Sequence, residues 1–515
     1  MKRLLLAVLA PLLLAPSIGA TWSIVVVNTL TGEVGVAVAS CTPTSDLHVS
    51  VPVVVVGQGT AVWQANGDAL FKGRPVAWST LMAGGTAQDV IDGWLDNDNF
   101  PNGKQVGVAS LAGDAAAFTG IGTFDWAGDR VGVAGEWIYA IQGNILVGQE
   151  VVDATEDALV NTPGDMGQRL LAAMEAGTAL GGDGRCSCSQ SDPTGCGAPP
   201  PDFDKASQSG FVVVGRIGDV DGVCDQTAGC GNGSYWLDLN YVGPIGSGDA
   251  VAELREQYDA WRADMAGRPD GLLSTVTPSA QSLPADGTAT MEFEVQLVDL
   301  DGVALTAGVQ SFACAPALDN TSDAVCTGVE DLGGGRYRVT IGQATTPGVA
   351  AFDVVADDGV TRATLYPRPS VRVDAVTPLH AGFDAIDAAA DTTVPFVINA
   401  PGSAGAAYVV LASLSGTSPG TPFGSAVLPL NMDETLVRTW RNADDQGDGG
   451  HALLSRTKGF LDGAGRAEAA FRAPPGLLLN LVGERVDWAV LTVQDGAFGV
   501  TNAVGFDVVH GAGGR

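Results

Sequence analysis

The sequence predicts an α+β amino-terminal half, built as two stacked sheets with helices on both outer faces, followed by two all-β sandwiches. Three observations predict it. From residue 21 to about 270, runs of β-branched residues alternate with pairs of amphipathic stretches. From the turn GRPDG (267–271) onward, short strands and Gly/Pro turns take over. At 515 residues the chain also exceeds one ordinary core, and roughly 150 residues per domain suggests about three units.

Residues 1–20 read Met-Lys-Arg, then LLLAVLAPLLLA, then PSIGA: a basic start, an apolar run and a small final residue, the plan of a signal peptide cleaved after Ala20. SIVVVN and VGVAVAS flank the turn LTGE as a hairpin, and VPVVVVGQGTAVWQA adds one or two buried strands to the same sheet. Helices follow at GRPVAWSTLMAGG and TAQDVIDGWLD, where Thr86 and Asp89 have capping-box spacing. QVGVASL and AAAFTG form a second hairpin. Two more helices are expected at ILVGQEVVDATEDALV and DMGQRLLAAMEAG, then strands at SGFVVVGRI and YWLDLNYV, then the helix DAVAELREQYDAWRADM. A Cys-rich insertion occupies about 184–204. The two sandwiches take 271–370, of immunoglobulin type, and 371–515.

The composition is 46% hydrophobic and 16% charged, with 70 glycines, which suits compact β-rich domains. With 58 acidic and 26 basic residues the formal charge is −32, so the surface repels phosphate backbones and nucleic acid is excluded as a partner. No later stretch reaches the roughly 18 apolar residues of a membrane span. Eight cysteines, an even count, fit a secreted, cell-surface or periplasmic location. Cys314 and Cys326 are expected to pair, and Cys41 to complete a group with Cys186, Cys188, Cys196, Cys224 and Cys230. Zinc fits poorly, because C-x-C-x7-C followed by C-x5-C lacks regular ligand spacing.

Residues 21–270 hold one histidine, His48, and nothing near it resembles G-x-S-x-G, so a Ser-His-Asp triad is poorly supported. His380, His451 and His510 are scattered across the sandwiches and read as ordinary surface histidines. Metalloprotease, P-loop and dinucleotide-binding motifs do not occur. DVDGVCD (219–225) begins like a calcium loop in Asp219, Asp221 and Asp225 but lacks the EF-hand's terminal Glu, and reads as a pinned surface loop. No cofactor and no metal are expected.

Thr21 is the remaining nucleophile. A hydroxyl needs a base, and an α-amine with a pKa of about 7.7–8.0 is partly neutral near pH 7. If Thr21 becomes the first residue after cleavage, its own amine serves as that base without histidine.

The segments TWSIVVVNTLTGEVGVAVAS, KQVGVASLAGDAAAFTG, DWAGDRVG, YAIQGNILVGQEVVDA and RLLAAMEAGTALGGD, in that order, resemble domain-of-unknown-function family 1028 over about 21–265. That family is assigned to the Ntn (N-terminal nucleophile) hydrolase superfamily, so the resemblance implies a four-layer αββα Ntn-hydrolase-like domain and amide-bond hydrolysis. It matches Thr21 to the nucleophile. Ser40 and Gln64 stand at recurrent polar positions, and Asn144 is a candidate oxyanion donor. The family's run of Gly-Asp, a basic residue and Gln-Ser is broken here: Gly182 and Asp183 precede the insertion, and Lys205, Gln208 and Ser209 follow it. LPADGTATMEFEVQLVDLDGVAL resembles invasin-like repeats, and LDGAGRAEAAFRAPPG (461–476) a structural segment of exported bacterial proteins.

Two functions are expected from these observations. One is an exported Ntn-type amidohydrolase acting on an amide or peptide substrate through Thr21. The other is a non-catalytic extracellular binding or adhesion protein, whose sandwiches hold a cell-surface or matrix ligand.

Overall fold

The computed structural model describes residues 21–444 and 453–511; the signal peptide expected at 1–20 and His451 lie outside the described residues. The chain divides into two compact units, the first ending at Ala266 and the second beginning at Gly267. The secondary structure is mixed α+β and mostly sheet.

In the first unit the order is β1 (Thr21–Asn28), β2 (Val34–Ser40), α1 (Leu47–Ser50), β3 (Pro52–Val55), β4 (Gly59–Ala65), α2 (Gly73–Met82) and α3 (Ala87–Leu95). Then come β5 (Lys104–Ser110), β6 (Asp114–Thr119), β7 (Gly128–Ala134), β8 (Trp137–Asn144), α4 (Glu150–Asn161), α5 (Met166–Ala179), α6 (Gly184–Ser187), β9 (Ser209–Gly215), β10 (Leu237–Val242) and α7 (Ala250–Asp264). Thr86 caps α3 as its spacing predicts, accepting from Asp89 N while Asp89 accepts from Thr86 N.

Two sheets form, not the single early sheet that the sequence suggests. β10-β9-β2-β1-β8-β7 make a six-stranded sheet and β3-β4-β5-β6 a four-stranded one. The switch lies between Ser40 and Pro52, where the short α1 breaks the run of extended chain and carries it from one sheet to the other. Period-two alternation then gives each strand two cores. Trp22, Ile24 and Val26 of β1 pack with Val151, Leu170, Met174 and Leu254 of the helices. Val25 and Val27 face Val54 and Val62 of the other sheet, whose far side packs Trp63 and Val106 against Leu81, Val90 and Trp94 of α2 and α3.

β7 and β8 escape the pattern reading. All eight residues of β8, WIYAIQGN, are buried although they include Gln142 and Asn144. Gln142 Nε2 donates to Ser23 Oγ and Asn144 Nδ2 to Gln105 Oε1, partners on other strands that a local reading cannot see. The helix expected from Ile145 begins five residues later, at Glu150, because Ile145 has a positive φ of 55° that ends the strand in a sharp bend.

The second unit holds two β-sandwich cores. In the first, the sheet of Thr275–Pro278, Thr290–Gln296, Arg336–Gly342 and Val325–Gly333 packs Phe293 and Val339 against Phe352 and Val354 of Gly348–Asp357. Its last strand, Ser370–Asp374, runs past residue 370, and the next begins at Leu379. In the second, Thr392–Asn399 and Arg466–Ala473 face Ala407–Ser413 and Arg485–Gln494 around Phe396, Phe471 and Trp488. This part is not all strand: α8 (Glu434–Arg441) interrupts it, capped by Asp433, which accepts from Leu436 N.

Candidate active site

Four of the six residues singled out in the sequence fall on one line across the six-stranded sheet. Thr21 pairs with Asn144 in β8, and Ser40 pairs with Ser209 in β9. Trp22 pairs with Ala39, so one step further sets Thr21 beside Ser40. The row therefore reads Asn144, Thr21, Ser40, Ser209 across four adjacent strands. Each is an even number of residues from a side chain in the inter-sheet core, namely Val25, Val36, Ala140 and Phe211 or Val213, so all four face the other sheet. All are buried.

On the Asn144 side the row meets a closed network of amides. Gln64, reaching across from β4, donates from Nε2 to the Thr21 carbonyl at 3.0 Å and to Gln105 Oε1 at 2.6 Å, while Ser23 Oγ donates to Gln64 Oε1 at 2.6 Å. Asn144 Nδ2 donates to Gln105 Oε1 at 3.2 Å, and Gln105 Nε2 donates to Gly143 O at 2.9 Å. Gly107 is required here, since a Cβ would lie 1.9 Å from Gln142 Oε1. Gln64 thus braces the backbone of Thr21, and its amide is spent on that task.

On the Ser40 side the partners are hydroxyls and an ion pair. Ser40 Oγ and Thr42 Oγ1 are 2.9 Å apart, and Arg185 Nη2 lies 3.4 Å from each. Arg185 also donates from Nη2 to Asp183 Oδ2 at 2.7 Å and from Nε to Oδ1 at 3.1 Å. Asp183 is fully buried and accepts from Cys41 N at 2.7 Å. Burial pushes its carboxyl up, opposed by Arg185 and by the Cys41 and Arg185 backbone N–H groups. The Cys41–Cys186 disulfide ties the residue after Ser40 to the residue after Arg185, holding the guanidinium at the row. Ser209 Oγ is buried, with no hydrogen-bond partner among the described residues.

Gln208 is not in the row. Its backbone N–H donates to Ser40 O at 2.8 Å, but its side chain lies against the Cys41 sulfur at 3.9 Å. Lys205 also points elsewhere, donating to Ser247 O. The basic group beside Asp183 is Arg185, at the start of the insertion rather than after it. Sequence reasoning passed over Arg185, Ser23, Gln105 and Gln142. Arg185 was signalled by its place two residues after Asp183 and one before Cys186; the other three carry no local signal.

The other candidate chemistries dissolve into structural roles. His48 Nε2 lies 3.1 Å from Asp238 Oδ1, with its ring edge-on to Phe211. Asp219 accepts from Arg216 N and Trp236 N, Asp221 from Val56 N, and Asp225 from Thr227 N and Ala228 N, so each carboxylate holds a turn or a neighbouring strand. All eight cysteines pair: Cys41–Cys186, Cys188–Cys196, Cys224–Cys230 and Cys314–Cys326. Such a set fits an extracellular or surface location. Among the described residues no helix is long and apolar enough to cross a membrane.

Residues 21–191 match DUF1028, a family of unknown function. The DUF1028 match opens at Thr21 and takes in every member of the row except Ser209. The chain is similar to a Silicibacter pomeroyi protein of DUF1028, at 20% identity over 47% of this chain and 86% of that one, with a TM-score of 0.34. It is also similar to the Yersinia pseudotuberculosis adhesin InvE, at 14% identity over 45% of this chain and 58% of that one, TM-score 0.17. A third similarity is to invasin, a bacterial integrin-binding protein, at 14% identity over 59% of this chain and 46% of that one, TM-score 0.17. No curated protein matches the chain.

Proposed function

We propose that the chain is an exported Ntn-type amidohydrolase whose nucleophile is Thr21, released as an amino-terminal residue by removal of residues 1–20. The cross-sheet row carries this reading: it sets Thr21 at the very start of a central strand, with an amide donor on one side and a hydroxyl and guanidinium on the other. The succession of helix-side, inter-sheet and second helix-side cores supports an αββα layering. While Thr21 is in peptide linkage its nitrogen has no basic lone pair. Once freed, the amine accepts the proton of Thr21 Oγ as that oxygen attacks the amide carbonyl. The tetrahedral oxyanion takes hydrogen bonds from donors flanking Thr21, of which the Asn144 amide, oriented by Gln105, is the candidate. Collapse breaks the C–N bond, and the α-ammonium returns its proton to the leaving amine. Water, deprotonated by the same amine, then cleaves the threonyl ester.

Amino-terminal sequencing of the secreted protein, with wild type, Thr21→Ser and Thr21→Ala assayed against a panel of amides, tests it. A mature chain beginning at Thr21, activity in wild type and its loss in Thr21→Ala are expected. Equal turnover in Thr21→Ala and wild type would overturn it, as would a mature chain beginning elsewhere.

A second reading, a non-catalytic extracellular binding protein, is favoured by one observation: among the described residues, the unit from Gly267 onward is built mainly on β-sandwich cores, and these supply no residue of the row. A mature chain that does not start at Thr21, yet binds cell-surface material, would decide for it.

A further inference from the structure

His380 is not the surface histidine that the sequence suggests. It is only 6% exposed, in the strand Leu379–Ala381, whose other two residues belong to the second sandwich core. Alternation turns its ring the other way, toward the first sandwich, where Nε2 lies 3.1 Å from Ser282 Oγ. Ser282–Pro284 pairs in parallel with Arg372–Asp374, the last strand of the first sandwich. The chain leaves that strand at Asp374 and enters the second sandwich at Leu379, so His380 stands at the crossover.

Other contacts tie the two sandwiches together around it. Gln281 N and Ser282 N donate to Gly382 O at 2.5 and 3.1 Å, and Arg372 Nη1 donates to Asp384 Oδ2 at 2.5 Å. Phe383 packs against both cores. The surfaces approach closely at Gly382, where a Cβ would lie 2.6 Å from the Cβ of Ala280.

The charges at this joint are arranged against a protonated ring. Asp374 Oδ2 is 3.7 Å from His380 Nδ1, too long for a hydrogen bond, and both Asp374 oxygens accept from Arg372, at 2.6 and 3.2 Å. The same guanidinium engages Asp384, which also feels Arg485. On the strand paired with that of His380 the facing residue is Val397, and its partner on the next strand is Glu468. Farther along, Asp286 and Arg466 line the gap between the sandwiches with Glu468. Burial, with Arg372 adding to it, holds the imidazole below the usual histidine range, against the opposing pull of Asp374, Ser282 and Asp384.

We propose that His380 is an acid-sensitive latch between the two sandwiches: neutral, it seals the joint against Ser282, and protonated, it favours an opened joint in which the imidazolium is hydrated. This device is independent of Thr21 and of any amide hydrolysis. The sign follows from linkage. In an opened joint the hydrated ring takes up a proton near its ordinary value of about 6.5, whereas the closed joint does so only at lower pH. Opening is therefore favoured as pH falls below about 6.5, by at most about 10-fold between pH 7.5 and 5.5.

Amide hydrogen exchange of the full secreted chain at those two pH values, corrected for intrinsic exchange rates, tests the latch. Segments 280–284 and 379–384 should lose protection by about 3- to 10-fold at pH 5.5. The core strand Arg485–Gln494 should keep its protection. His380→Gln, which cannot take up a proton here, should show equal protection at both pH values. Protection of the joint that does not change with pH in wild type overturns the proposal. So does an equal loss over Arg485–Gln494, because the sandwich itself would then be unfolding. The same pH dependence in His380→Gln also overturns it, by assigning the effect to the surrounding carboxylates. Should that variant fail to fold, imidazole NMR of the wild type decides, with His380 identified as the signal that moves in Ser282→Ala. Titration at or above 6.5 overturns the latch, and titration below it is expected.

Discussion

Gln64→Leu separates a braced Thr21 from one that merely occupies the end of a strand. Gln64 is fully buried, and leucine fills similar space while removing three hydrogen bonds of 3.0 Å or less, to the Thr21 carbonyl, to Gln105 Oε1 and from Ser23 Oγ, along with a longer one to Gln142 O at 3.4 Å. At about 0.5–1.5 kcal/mol for each bond the three shorter ones sum to about 1.5–4.5 kcal/mol, and the buried Ser23 hydroxyl, deprived of its acceptor, moves the total toward the upper end. Gln105 Oε1 keeps Asn144 as a donor, so the loss does not spread through the whole network. Because a chain of several domains does not unfold in one step, amide hydrogen exchange over Thr21–Asn28 and Gly59–Ala65 is the appropriate assay. A loss of about 2 kcal/mol speeds exchange through local opening roughly 30-fold. Adding Ser23→Ala removes the stranded hydroxyl, so the double variant should recover about 1 kcal/mol relative to the sum of the single changes. Exchange accelerated by less than 5-fold, or strictly additive effects in the pair, would refute this network.

Three further outcomes follow from other parts of the fold. Loop-closure entropy assigns about 5 kcal/mol to a disulfide spanning 145 residues and about 2.5 kcal/mol to one spanning 8. Replacing Cys41 and Cys186 by serine should therefore lower the melting temperature of the first unit more than replacing Cys188 and Cys196, and calorimetric scans showing equal losses would contradict this. Burial raises the Asp219 carboxyl to about 6, above its ordinary 3.8. The folded chain then holds that proton where the unfolded chain has lost it, so this group's contribution is favourable at low pH and is lost as pH rises from about 4 to 6. Asp219→Asn should thus gain stability relative to wild type across that window; a constant difference between pH 4.5 and 7 would count against it. Asp433 accepts from Leu436 N, Leu414 N and Ser415 N, so Asp433→Ala should destabilise α8 by about 1–2 kcal/mol or more, read as faster exchange over Glu434–Arg441. Unchanged exchange there would show that the cap is dispensable.

Much of the first unit was legible because its signals are local. The β-branched runs of β1, β2, β5 and β9 and the capped α3 follow from spacing and side-chain shape alone. β8 was not, since Gln142 and Asn144 look like surface residues until Ser23, Gln64 and Gln105 are brought against them from strands far away in sequence. The structure brings Thr21, Ser40, Asn144 and Ser209, each near a strand end, into one row and leaves Gln208 outside it. Adjacent residues in an extended chain point to opposite faces, and only the pairing of Ser40 with Ser209 shows which of the two faces inward.

What the sequence by itself determined is the alphabet of this protein: an acidic, cysteine-paired chain with a β-rich amino-terminal half, a threonine after an export-like leader, and strand-and-turn domains beyond Gly267. These rest on composition, periodicity and turn chemistry, which act over a few residues. The tertiary structure decided which strands share a sheet, that Arg185 rather than Lys205 stands by Asp183, and that Asn144, Thr21, Ser40 and Ser209 form one row. Those outcomes depend on register and on contacts between segments tens to more than a hundred residues apart, where the side chains that satisfy a buried polar group are invisible to any local pattern.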